Sequence, residues 1–405
     1  MGLAVKIFVT NCGSSSIKYR LFEMTDERVL AGGVLERVGS DGAILRHEAG
    51  DGVRESPVSA PDHTAGMKII LRTLAGAEEG ILTGVEEIDG VGHRVVHGGE
   101  EVSASARIDE PLIDVIRANF ELAPLHNPPN LAGIRAAMQA MPDIPHVAVF
   151  DTAFFSTLPA AAYRYAVPKQ WYRDHSVRRY GFHGTSHRYV TEEAARLLQK
   201  EVSRVNLITA HLGNGCSMTA VAEGAAVDHS MGMTPLEGLV MGTRSGDIDP
   251  AVVLHMLGCG LSVKQVDEAL NEQSGLLGVS GLSNDMRDLL AAAEQENADA
   301  RLAVDMFVYR LVKYAGAYYT ILRRVDAHVL TGGIGENAVA VREAIVEGLS
   351  RLGAVLDPQR NRRLVGGLTG PVTTDDSTLP VWVVPTNEEL MIARDTMRIV
   401  QDEHR

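Results

Sequence analysis

Short apolar runs recur along the chain, and several are followed at once by a turn rich in glycine and small polar residues. Residues 6–10 predict a strand, 13–16 a turn and 17–22 a second strand, which together form a hairpin. Residues 206–210 and 211–221 repeat that plan of strand, small polar turn and strand. This weak internal duplication predicts two related domains.

A third glycine-rich turn, at residues 332–335, has a different setting. It follows a predicted strand at 327–331 and opens a predicted helix that ends near residue 349. A long helix is predicted over 301–324, and a last helix begins near Asn387 with apolar residues at 3–4 spacing on one face. Strands that alternate with helices predict an α/β fold.

The first domain boundary is predicted near Asp151, directly after the apolar strand 147–150. The proline-rich stretch 123–130 ahead of it predicts an ordered loop. The length of 405 residues allows two or three domains.

The net charge of the chain limits the classes of partner that we expect it to bind. The chain carries 52 acidic and 38 basic residues, a net charge of −14, which argues against nucleic acid or an anionic membrane as a partner. A phosphate or carboxylate site must therefore use a few local cations and backbone amides. The three cysteines form no CxxC pair, and no apolar run is long enough for a signal segment or for the ~18 residues of a membrane span. We expect a cytoplasmic protein.

Two of the turns carry the residue types that bind anions. In the stretch 11–18, glycine frees backbone amides, serines add hydroxyl donors and Lys18 adds charge, although no Walker A loop occurs in the chain. The turn from His211 to Gly215 follows the same physical logic, with glycines that free backbone amides for an anion. The alternative is an ordinary polar hairpin turn.

The third turn matches G-x-G-x-x-A over residues 333–338 and lies between a strand and a helix, with Asp357 about 20 residues further on. That is the local pattern of a dinucleotide-binding site, so this motif alone is compatible with either NAD or ATP as the ligand. A dinucleotide-binding domain usually places this unit first, whereas here it comes late in the chain.

Histidines are frequent in the polar segments, and His183 and His187 have the i, i+4 spacing of metal ligands. No HExxH glutamate or nearby cysteine accompanies them, which favours neutral, hydrogen-bonded histidines over a zinc site. The segments contain six of them: His93, His97, His126, His183, His187 and His211.

Arg94 and Arg244 both lie beside glycines, which would let a ligand approach closely. The planar guanidinium suits carboxylate and phosphate oxygens, although an ion pair, for instance of Arg244 with Asp247 or Asp249, is an equally good interpretation of a single arginine. Asp151 ends a strand, where α/β folds place functional residues.

Taken together, ten segments of the chain resemble the acetokinase family, of the acetate and sugar kinase, heat-shock chaperone and actin superfamily. In chain order they read NCGSSSIKY, GHRVVHGG, LAPLHNPPN, FDTAF, RRYGFHGTSH, HLGNGCSM, MTPLEGLVMGTRSGDIDP, SGLLGVSG, GGIGENA and PTNEELMIARDT. The resemblance covers nearly the whole chain. One departure is Phe155, where the family often has histidine, and we expect it to change only a local hydrogen bond.

The resemblance implies two duplicated actin/hexokinase-like (ribonuclease H-like) domains with an active-site cleft between them. The first domain would comprise residues 1–151 joined by the C-terminal helix at about 387–405, and the second, nucleotide-binding domain 152–386. It further implies a homodimer that catalyses reversible, ATP-dependent phosphorylation of acetate to acetyl phosphate and ADP. A propionate or other short-chain carboxylate kinase, an NAD-dependent enzyme and a non-catalytic ATP-dependent clamp are the alternatives.

The family's roles carry over to matching positions here. Asn11 and Glu388 would bind Mg²⁺, with Mn²⁺ as a substitute, and Arg94 would bind the carboxylate. Asp151 would be the acidic active-site residue, and His183 and Arg244 would stabilise the transition state. The apolar pocket would be lined by Val96, Leu125, Phe182 and Pro235. The nucleotide would contact Lys18, His211, Leu212, Gly213, Asn214, Gly215, Asp285, Met286, Arg287, Gly333, Ile334, Gly335, Glu336 and Asn337.

Overall fold

The computed structural model describes residues 5–50, 52–76 and 81–402. These fall into two compact units, one built from the residues up to Phe154 together with those from Asn387 onward, the other from Phe155–Thr386. Each unit contains one β-sheet with helices, so the α/β class predicted from the alternating pattern is confirmed.

Among the described residues, the sheet of the first unit has eight strands: β1 (Lys6–Cys12), β2 (Ser16–Glu23), β3 (Arg28–Glu36), β4 (Ala43–Ala49), β5 (Gly52–Val58), β6 (Gly90–Val95), β7 (Ala106–Arg107) and β8 (His146–Phe150). Their order is β5-β4-β3-β2-β1-β6-β8-β7. Strands β1, β6 and β8 are parallel, and the other pairings are antiparallel.

The sheet of the second unit has six strands: β9 (Leu207–Leu212), β10 (Cys216–Ala222), β11 (Ala225–His229), β12 (Ala327–Thr331), β13 (Gly370–Pro371) and β14 (Val381–Val383). Their order is β11-β10-β9-β12-β14-β13, with β9, β12 and β14 parallel. The first sheet contains the same arrangement as β3-β2-β1-β6-β8-β7, with β4 and β5 added at one edge. The predicted duplication and both predicted hairpins are therefore confirmed.

Fifteen α-helices accompany the sheets within the described ranges: α1 (His63–Leu74), α2 (Glu110–Ala118), α3 (Asn127–Ala140), α4 (Ala160–Tyr163), α5 (Lys169–His175), α6 (Gly184–Leu197), α7 (Pro250–Gly258), α8 (Val263–Glu272), α9 (Gly275–Ser280), α10 (Met286–Glu294), α11 (Ala298–Ile321), α12 (Gly332–Asn337), α13 (Val339–Gly348), α14 (Pro358–Arg363) and α15 (Glu388–Asp402). None of them is long and apolar enough to cross a membrane. The predicted long and last helices correspond to α11 and α15.

Two sequence predictions are wrong in detail. The predicted loop 123–130 becomes helix α3 from Asn127 onward, because prolines fit the first turn of a helix, where their missing N–H is not needed. The predicted turn 332–335 is itself helical, as the first residues of α12, and the next helix starts only at Val339.

Close helix packing fixes the ends of the central strands in the first unit. A Cβ built on Gly133 in α3 would lie 2.2 Å from Sγ of Cys12 in β1, so α3 approaches β1 where only glycine fits. A Cβ on Gly92 in β6 would likewise lie 2.5 Å from Oγ1 of Thr396 in α15. These contacts place α3 and α15 against the strands that carry Asn11 and Arg94.

Candidate functional site

The carboxyl ends of β1, β6 and β8 lie at one edge of the first sheet, because these three strands are parallel neighbours. They bring together Asn11, Arg94 and, directly after β8, Asp151. The backbone N–H of Asp151 donates to the carbonyl of Val95 at 2.9 Å, which continues the β6–β8 pairing and fixes Asp151 beside Arg94.

Arg94 and Asp151 form a two-pronged ion pair. Nη2 of Arg94 lies 2.7 Å from Oδ2 of Asp151, and its Nε lies 3.1 Å from Oδ1. Burial alone would lower the pKa of the Arg94 guanidinium, but Asp151 and then Glu388 outweigh it and raise that pKa above its usual value. Arg94 is therefore fixed in place and charged, with Nη1 3.9 Å from Oε2 of Glu388.

Glu388 begins α15, and Asn387 caps that helix by accepting from the N–H of Leu390 at 3.0 Å. Burial raises the pKa of the Glu388 carboxyl; Arg94 opposes this rise and Asp151 reinforces it. The negative charge of Glu388 is thus incompletely compensated by the protein around it, which is where a cation would be favourable.

Asn11 lies opposite Lys18 in the β1–β2 ladder, so both side chains point to one face of the hairpin. The amide oxygen of Asn11 and the carboxylate of Glu388 are the hard oxygen donors that Mg²⁺ uses, usually completed by water and substrate phosphates. Within the described ranges, no three or more histidine, cysteine, aspartate or glutamate side chains are arranged so that they could hold a metal ion together. Asn11 and Glu388 are thus oxygen donors that could hold a divalent cation.

Two buried asparagines at the start of α3 hold the strand ends, a role that sequence reasoning missed. Asn130 accepts from the N–H of Val96 at 3.2 Å and donates to the carbonyl of Cys12 at 2.7 Å. Asn127 accepts from the N–H of His97 at 3.1 Å and donates to its carbonyl at 2.9 Å. The two asparagines of the NPPN string therefore fix the backbone at the end of β1 and directly after β6. We call the sheet edge formed by the carboxyl ends of β1, β6 and β8 the Arg94 edge.

The predicted pocket residues divide between the units. In the first unit Val96 is buried, whereas the side chain of Leu125 is 72% exposed. In the second unit Phe182 is buried, and Pro235 is half-buried with its carbonyl facing Arg244. Phe155 stacks on His229 with ring centroids 4.1 Å apart, and His229 accepts from the N–H of Phe182 at 3.1 Å. The departure from the family is therefore a buried apolar contact.

Histidines cluster in the second unit at the start of α6. His183 has φ of 60°, an uncommon backbone for a non-glycine residue, and its Nδ1 lies 2.9 Å from the Ser217 hydroxyl. Its ring lies 4.5 Å from that of His211, whose Nδ1 is 2.8 Å from the Ser186 hydroxyl. Ser217, which sequence reasoning missed, also contacts His187.

His187 is not placed as a zinc ligand. Its two ring nitrogens lie 2.7 Å from the hydroxyls of Thr209 and Ser217, and burial lowers the pKa of His187 well below its ordinary value. Burial lowers the pKa of His229 in the same way. These histidines are neutral and hydrogen-bonded, as the sequence analysis favoured.

Arg244 lies beside His183 and the glycine turn. A Cβ built on Gly215 would be 3.3 Å from Cε1 of His183 and 3.6 Å from Nη1 of Arg244. Nη1 donates to the carbonyl of Pro235 at 3.1 Å, and no carboxylate of the described chain pairs with this guanidinium. Burial lowers the pKa of Arg244, so an anion placed here would gain a favourable partner.

The ion pair considered for Arg244 is formed by another arginine. Arg310 lies 3.3 Å from Oδ2 of Asp247, while Asp249 caps α7 by accepting from the N–H of Ala251 at 2.9 Å. Both aspartates therefore bind other groups. Neither of them forms the structural ion pair with Arg244 that the sequence left open.

The third glycine motif forms α12 and is anchored from within. Oε1 of Glu336 accepts from the N–H of Gly332 at 2.9 Å and from the N–H of Thr386 at 3.2 Å, so this carboxylate oxygen binds backbone N–H groups of its own chain. The fully buried Arg342, which sequence reasoning missed, donates to the carbonyl of Glu336 at 2.7 Å. A Cβ on Gly333 would meet nothing within 4 Å, so a ligand can approach the backbone there.

The dinucleotide interpretation of this motif is not supported. Its acidic residue, Asp357, caps α14 by accepting from the N–H groups of Gln359 and Arg360, both at 3.0 Å. The glycines lie inside a six-residue helix rather than in a turn that opens a longer one.

The remaining nucleotide candidates lie near the turn after β9. Asn214 accepts from the side-chain amide of Asn284 at 3.0 Å, next to Asp285, which caps α10. Asp285 and Arg287 form an exposed ion pair, and hydrogen bonds from Arg287 lower the pKa of Asp285 to about 2. Met286 is buried.

Comparisons with known proteins agree with one another. The acetokinase family model matches residues 6–394. An acetate kinase of Halothermothrix orenii is 51% identical over 399 residues, covering 98% of this chain and 100% of the relative. The crystal structure of Porphyromonas gingivalis acetate kinase matches with a TM-score of 0.94 at 45% identity, and that of a Francisella tularensis propionate kinase with 0.91 at 40%; each covers 98% of this chain and 100% of its own.

The repeated six-strand sheet, together with these structural matches, places the chain in the duplicated actin/hexokinase-like class of proteins. Within that class the chain belongs to the acetokinase family.

Proposed function

We propose that the protein transfers the γ-phosphoryl group of ATP to acetate, giving acetyl phosphate and ADP, and that the reaction is reversible. The observation that carries the proposal is Arg244, a half-buried guanidinium without a carboxylate partner in the described chain, beside His183 and the Gly213–Gly215 turn. Membership of the acetokinase family supports the same reaction.

Acetate needs no general base. A simple carboxylic acid titrates near pH 4–5 and is already ionised at neutral pH, so its oxygen is ready to attack phosphorus. In the proposal Arg94 binds the carboxylate of acetate. Asp151 occupies Nε and Nη2 of Arg94, so its role is to orient that guanidinium rather than to accept a proton.

In the transfer step a carboxylate oxygen of acetate forms a bond to the γ-phosphorus, and the bond to the oxygen that bridges the β- and γ-phosphates breaks. The electron pair of that bond leaves with ADP, and charge spreads over the three equatorial oxygens. Arg244 and the imidazole of His183 stabilise this charge. The backbone of the 211–215 turn, Lys18, the Asp285–Arg287 stretch and the open backbone of α12 contact the nucleotide.

A divalent cation belongs to the proposal. Asn11 and Glu388 would hold it, with Mg²⁺ preferred and Mn²⁺ as a substitute, and it would neutralise phosphate charge. The raised pKa of Glu388 supports this assignment, because it marks a half-buried carboxylate short of positive charge. Loss of turnover in EDTA, restored by Mg²⁺, is the expected result; robust turnover in EDTA would contradict the assignment.

Propionate is the second candidate acceptor, because a propionate kinase is among the solved structures that match over nearly the whole chain. Val96 is buried and held by Asn130, so the wall beside Arg94 is firm. A further methylene gains only about 0.8 kcal/mol on burial but costs about 1–3 kcal/mol if forced against a packed wall. This balance favours acetate.

The test is to trap the acyl phosphate as its hydroxamate with ATP and acetate, propionate or butyrate, and to compare kcat/KM. Acetate is expected to exceed propionate by about 10-fold or more, and propionate to exceed butyrate. A preference for propionate would shift the proposal to the second acceptor. Absence of any hydroxamate would leave a non-catalytic clamp, and competition by NAD in place of ATP would support a nicotinamide enzyme.

We further propose a cytoplasmic homodimer. All three cysteines are free, which supports a reducing compartment. Helix α7 has an apolar sequence and no buried residue, and Val252 and Leu254 are exposed, so part of its apolar surface is left uncovered within its own unit. A second copy of the chain is the partner that the family resemblance implies.

A further inference from the structure

Arg244 lies in an irregular loop, residues 238–247, whose two ends are joined to each other. The N–H of Gly238 donates to Oδ1 of Asp247 at 2.9 Å, and the N–H of Asp247 donates to the carbonyl of Gly238 at 3.0 Å. The segment therefore forms a closed loop with Asp247 at its neck and Arg244 within it.

Helix α11 contacts this neck from one side. The Tyr314 hydroxyl donates to Oδ2 of Asp247 at 2.9 Å, and Arg310 lies 3.3 Å from the same oxygen. Arg310 also donates to the carbonyl of Gly238 at 2.9 Å and to that of Asp247 at 3.2 Å. Burial raises the pKa of Tyr314, so its hydroxyl keeps the proton that it donates. We call Asp247, Arg310 and Tyr314 the neck triad.

The loop has little freedom inside this closure. Gly238 and Gly246 have φ of 111° and 66°, and a Cβ on Gly246 would lie 2.3 Å from the carbonyl oxygen of Leu239. The N–H of Met241 donates to the carbonyl of Arg244 at 3.1 Å. The neighbours of Arg244 are also held from outside the loop, because the N–H of Ser245 donates to the carbonyl of Leu270 at 3.1 Å and the N–H of Ser274 donates to that of Thr243 at 2.9 Å. The backbone of Arg244 is thus set by the loop closure together with these contacts.

The side chain of Arg244 depends on that backbone. Its Nη1 donates to the Pro235 carbonyl at 3.1 Å and to Sδ of Met241, within the loop, at 3.7 Å, and no carboxylate of the described chain anchors it as Asp151 anchors Arg94. A small rotation of the loop would therefore move the guanidinium without breaking an ion pair of its own.

We propose that the neck triad positions Arg244 for phosphoryl transfer. This rests on the proposed function, in which Arg244 stabilises the transferring phosphoryl group. Tyr314 is the member whose contact can be tested with the smallest change, the loss of one hydroxyl. None of the three residues is expected to touch a substrate, so each is a positioning residue.

Tyr314→Phe removes one hydroxyl, and the chain offers a matched control. Tyr318 lies one turn further along α11, is fully buried, and its hydroxyl has no hydrogen-bond partner in the described structure. Tyr314→Phe should lower kcat by about 5- to 50-fold, because displacement of a preorganised group by less than 1 Å is costly. KM for acetate and ATP should stay within about twofold, and Tyr318→Phe should leave all three constants near wild type.

A double-mutant cycle separates positioning from general destabilisation. If the neck triad acts through Arg244, Tyr314→Phe should lower the residual kcat of Arg244→Ala by less than about twofold. Arg310→Lys, which keeps the charge but loses the fork that reaches two carbonyls, should show the same non-additivity. Additive losses in the Arg244→Ala background, or equal losses in Tyr318→Phe, would overturn the proposal.

A readout independent of activity completes the test. Trypsin cleaves after arginine, and looser closure of the neck should raise the rate of cleavage between Arg244 and Ser245 in Tyr314→Phe above that in Tyr318→Phe. Equal cleavage rates together with unchanged kcat would refute the positioning role. Wild-type protein that forms no acyl phosphate would instead refute the proposed function, while the cleavage rates would still decide whether the triad holds the loop.

Discussion

At the scale of single residues, the two arginines differ in how the protein holds them. Arg94 is locked by both oxygens of Asp151, whereas Arg244 has a backbone carbonyl and no carboxylate in the described chain. A paired guanidinium is oriented but partly neutralised, while an unpaired one keeps its full attraction for an anion. The first suits a substrate carboxylate, and the second suits charge that grows during the reaction.

The two alanine variants should therefore have different kinetic signatures. Arg94→Ala should raise KM for acetate as well as lower kcat, whereas Arg244→Ala should act mainly on kcat, by about 10²–10³-fold. Lysine should rescue neither variant well, because a point charge cannot reproduce the fork. Steady-state kinetics in both substrates measure this, and near-wild-type constants for both alanine variants would make these arginines structural.

Asp151→Asn tests whether Asp151 transfers a proton. Asparagine has the shape of aspartate but not the charge that holds Arg94, so activity should fall by about 10²-fold or more. The loss should be the same at every pH between about 6 and 9, because no proton passes through this group. Rates across that range measure it, and a wild-type pH limb that disappears in the variant would show that Asp151 titrates in the mechanism.

The buried His328 in β12 is expected to make the stability of the fold sensitive to acid. It is fully buried, neither ring nitrogen has a hydrogen-bond partner among the described residues, and burial lowers its pKa from 6.5 to about 4. Between those values the unfolded chain binds the extra proton, so the free energy of unfolding falls as the pH drops through this window.

His328→Leu should remove this contribution, up to about 3 kcal/mol over the window, and should hold or raise stability at pH 7, because the orphan ring nitrogens are gone. Denaturant unfolding at pH 7 and pH 5 measures both effects. The exposed His175→Gln is the control and should keep the wild-type pH dependence. An unchanged difference between the two pH values in His328→Leu would contradict the assignment.

The sequence could nominate candidate functional side chains but could not predict the contacts that hold them. Glycine neighbours marked Arg94 and Arg244, and a strand end marked Asp151. Ser217, Asn130 and Arg342 carried no such signal, because their roles depend on partners far away in the chain, such as Asn130 with Cys12 and Val96.

At the scale of elements, hydrophobic periodicity found the hairpins and the long helices, because their patterns are local. It failed at residues 127–130 and 332–335, where proline and glycine usually interrupt helices. In both places tertiary contacts decide: Asn127 and Asn130 bind strand ends, and Glu336 and Arg342 anchor the short α12.

Gly133 sets the distance between α3 and β1, so Gly133→Ala should destabilise the first unit. The new Cβ would lie 2.2 Å from Sγ and 2.4 Å from Cβ of Cys12, and α3 must move away at a cost of about 1–3 kcal/mol or more. Gly316→Ala in α11, where nothing lies within 4 Å, is the control and should be stabilising by up to about 1 kcal/mol. Chemical denaturation compares them, and equal effects would contradict the close approach.

At the scale of the whole molecule, one strand arrangement is used twice, and the two copies have diverged in the segments that connect their strands. In the first unit polar side chains at the ends of β1, β6 and β8 form the Arg94 edge. In the second unit the turn after β9 and helix α12 after β12 expose backbone instead. Duplication supplies two similar frames, and the substrate and nucleotide roles proposed for them result from this difference.

Self-association is the property of the whole molecule that the chain's surface predicts. Helix α7 combines an apolar sequence with no buried residue, and Leu254 is 70% exposed. Covering such a face gains about 25 cal/mol per Å², so a second copy would be held largely by apolar burial, and a buried carboxylate there would be costly. Leu254→Asp should therefore give a monomer in light scattering at concentrations where the wild type is a dimer.

The matched control for this change is Val53→Asp, on the β5 edge of the other unit, where the side chain is 60% exposed. It adds the same charge at a similar exposure but lies away from α7 in the chain, so the dimer should persist. Both variants should unfold near the wild-type denaturant midpoint when compared as monomers, because both side chains are largely exposed in the single chain. A dimeric Leu254→Asp would place the interface elsewhere, and a monomeric wild type would refute the homodimer itself.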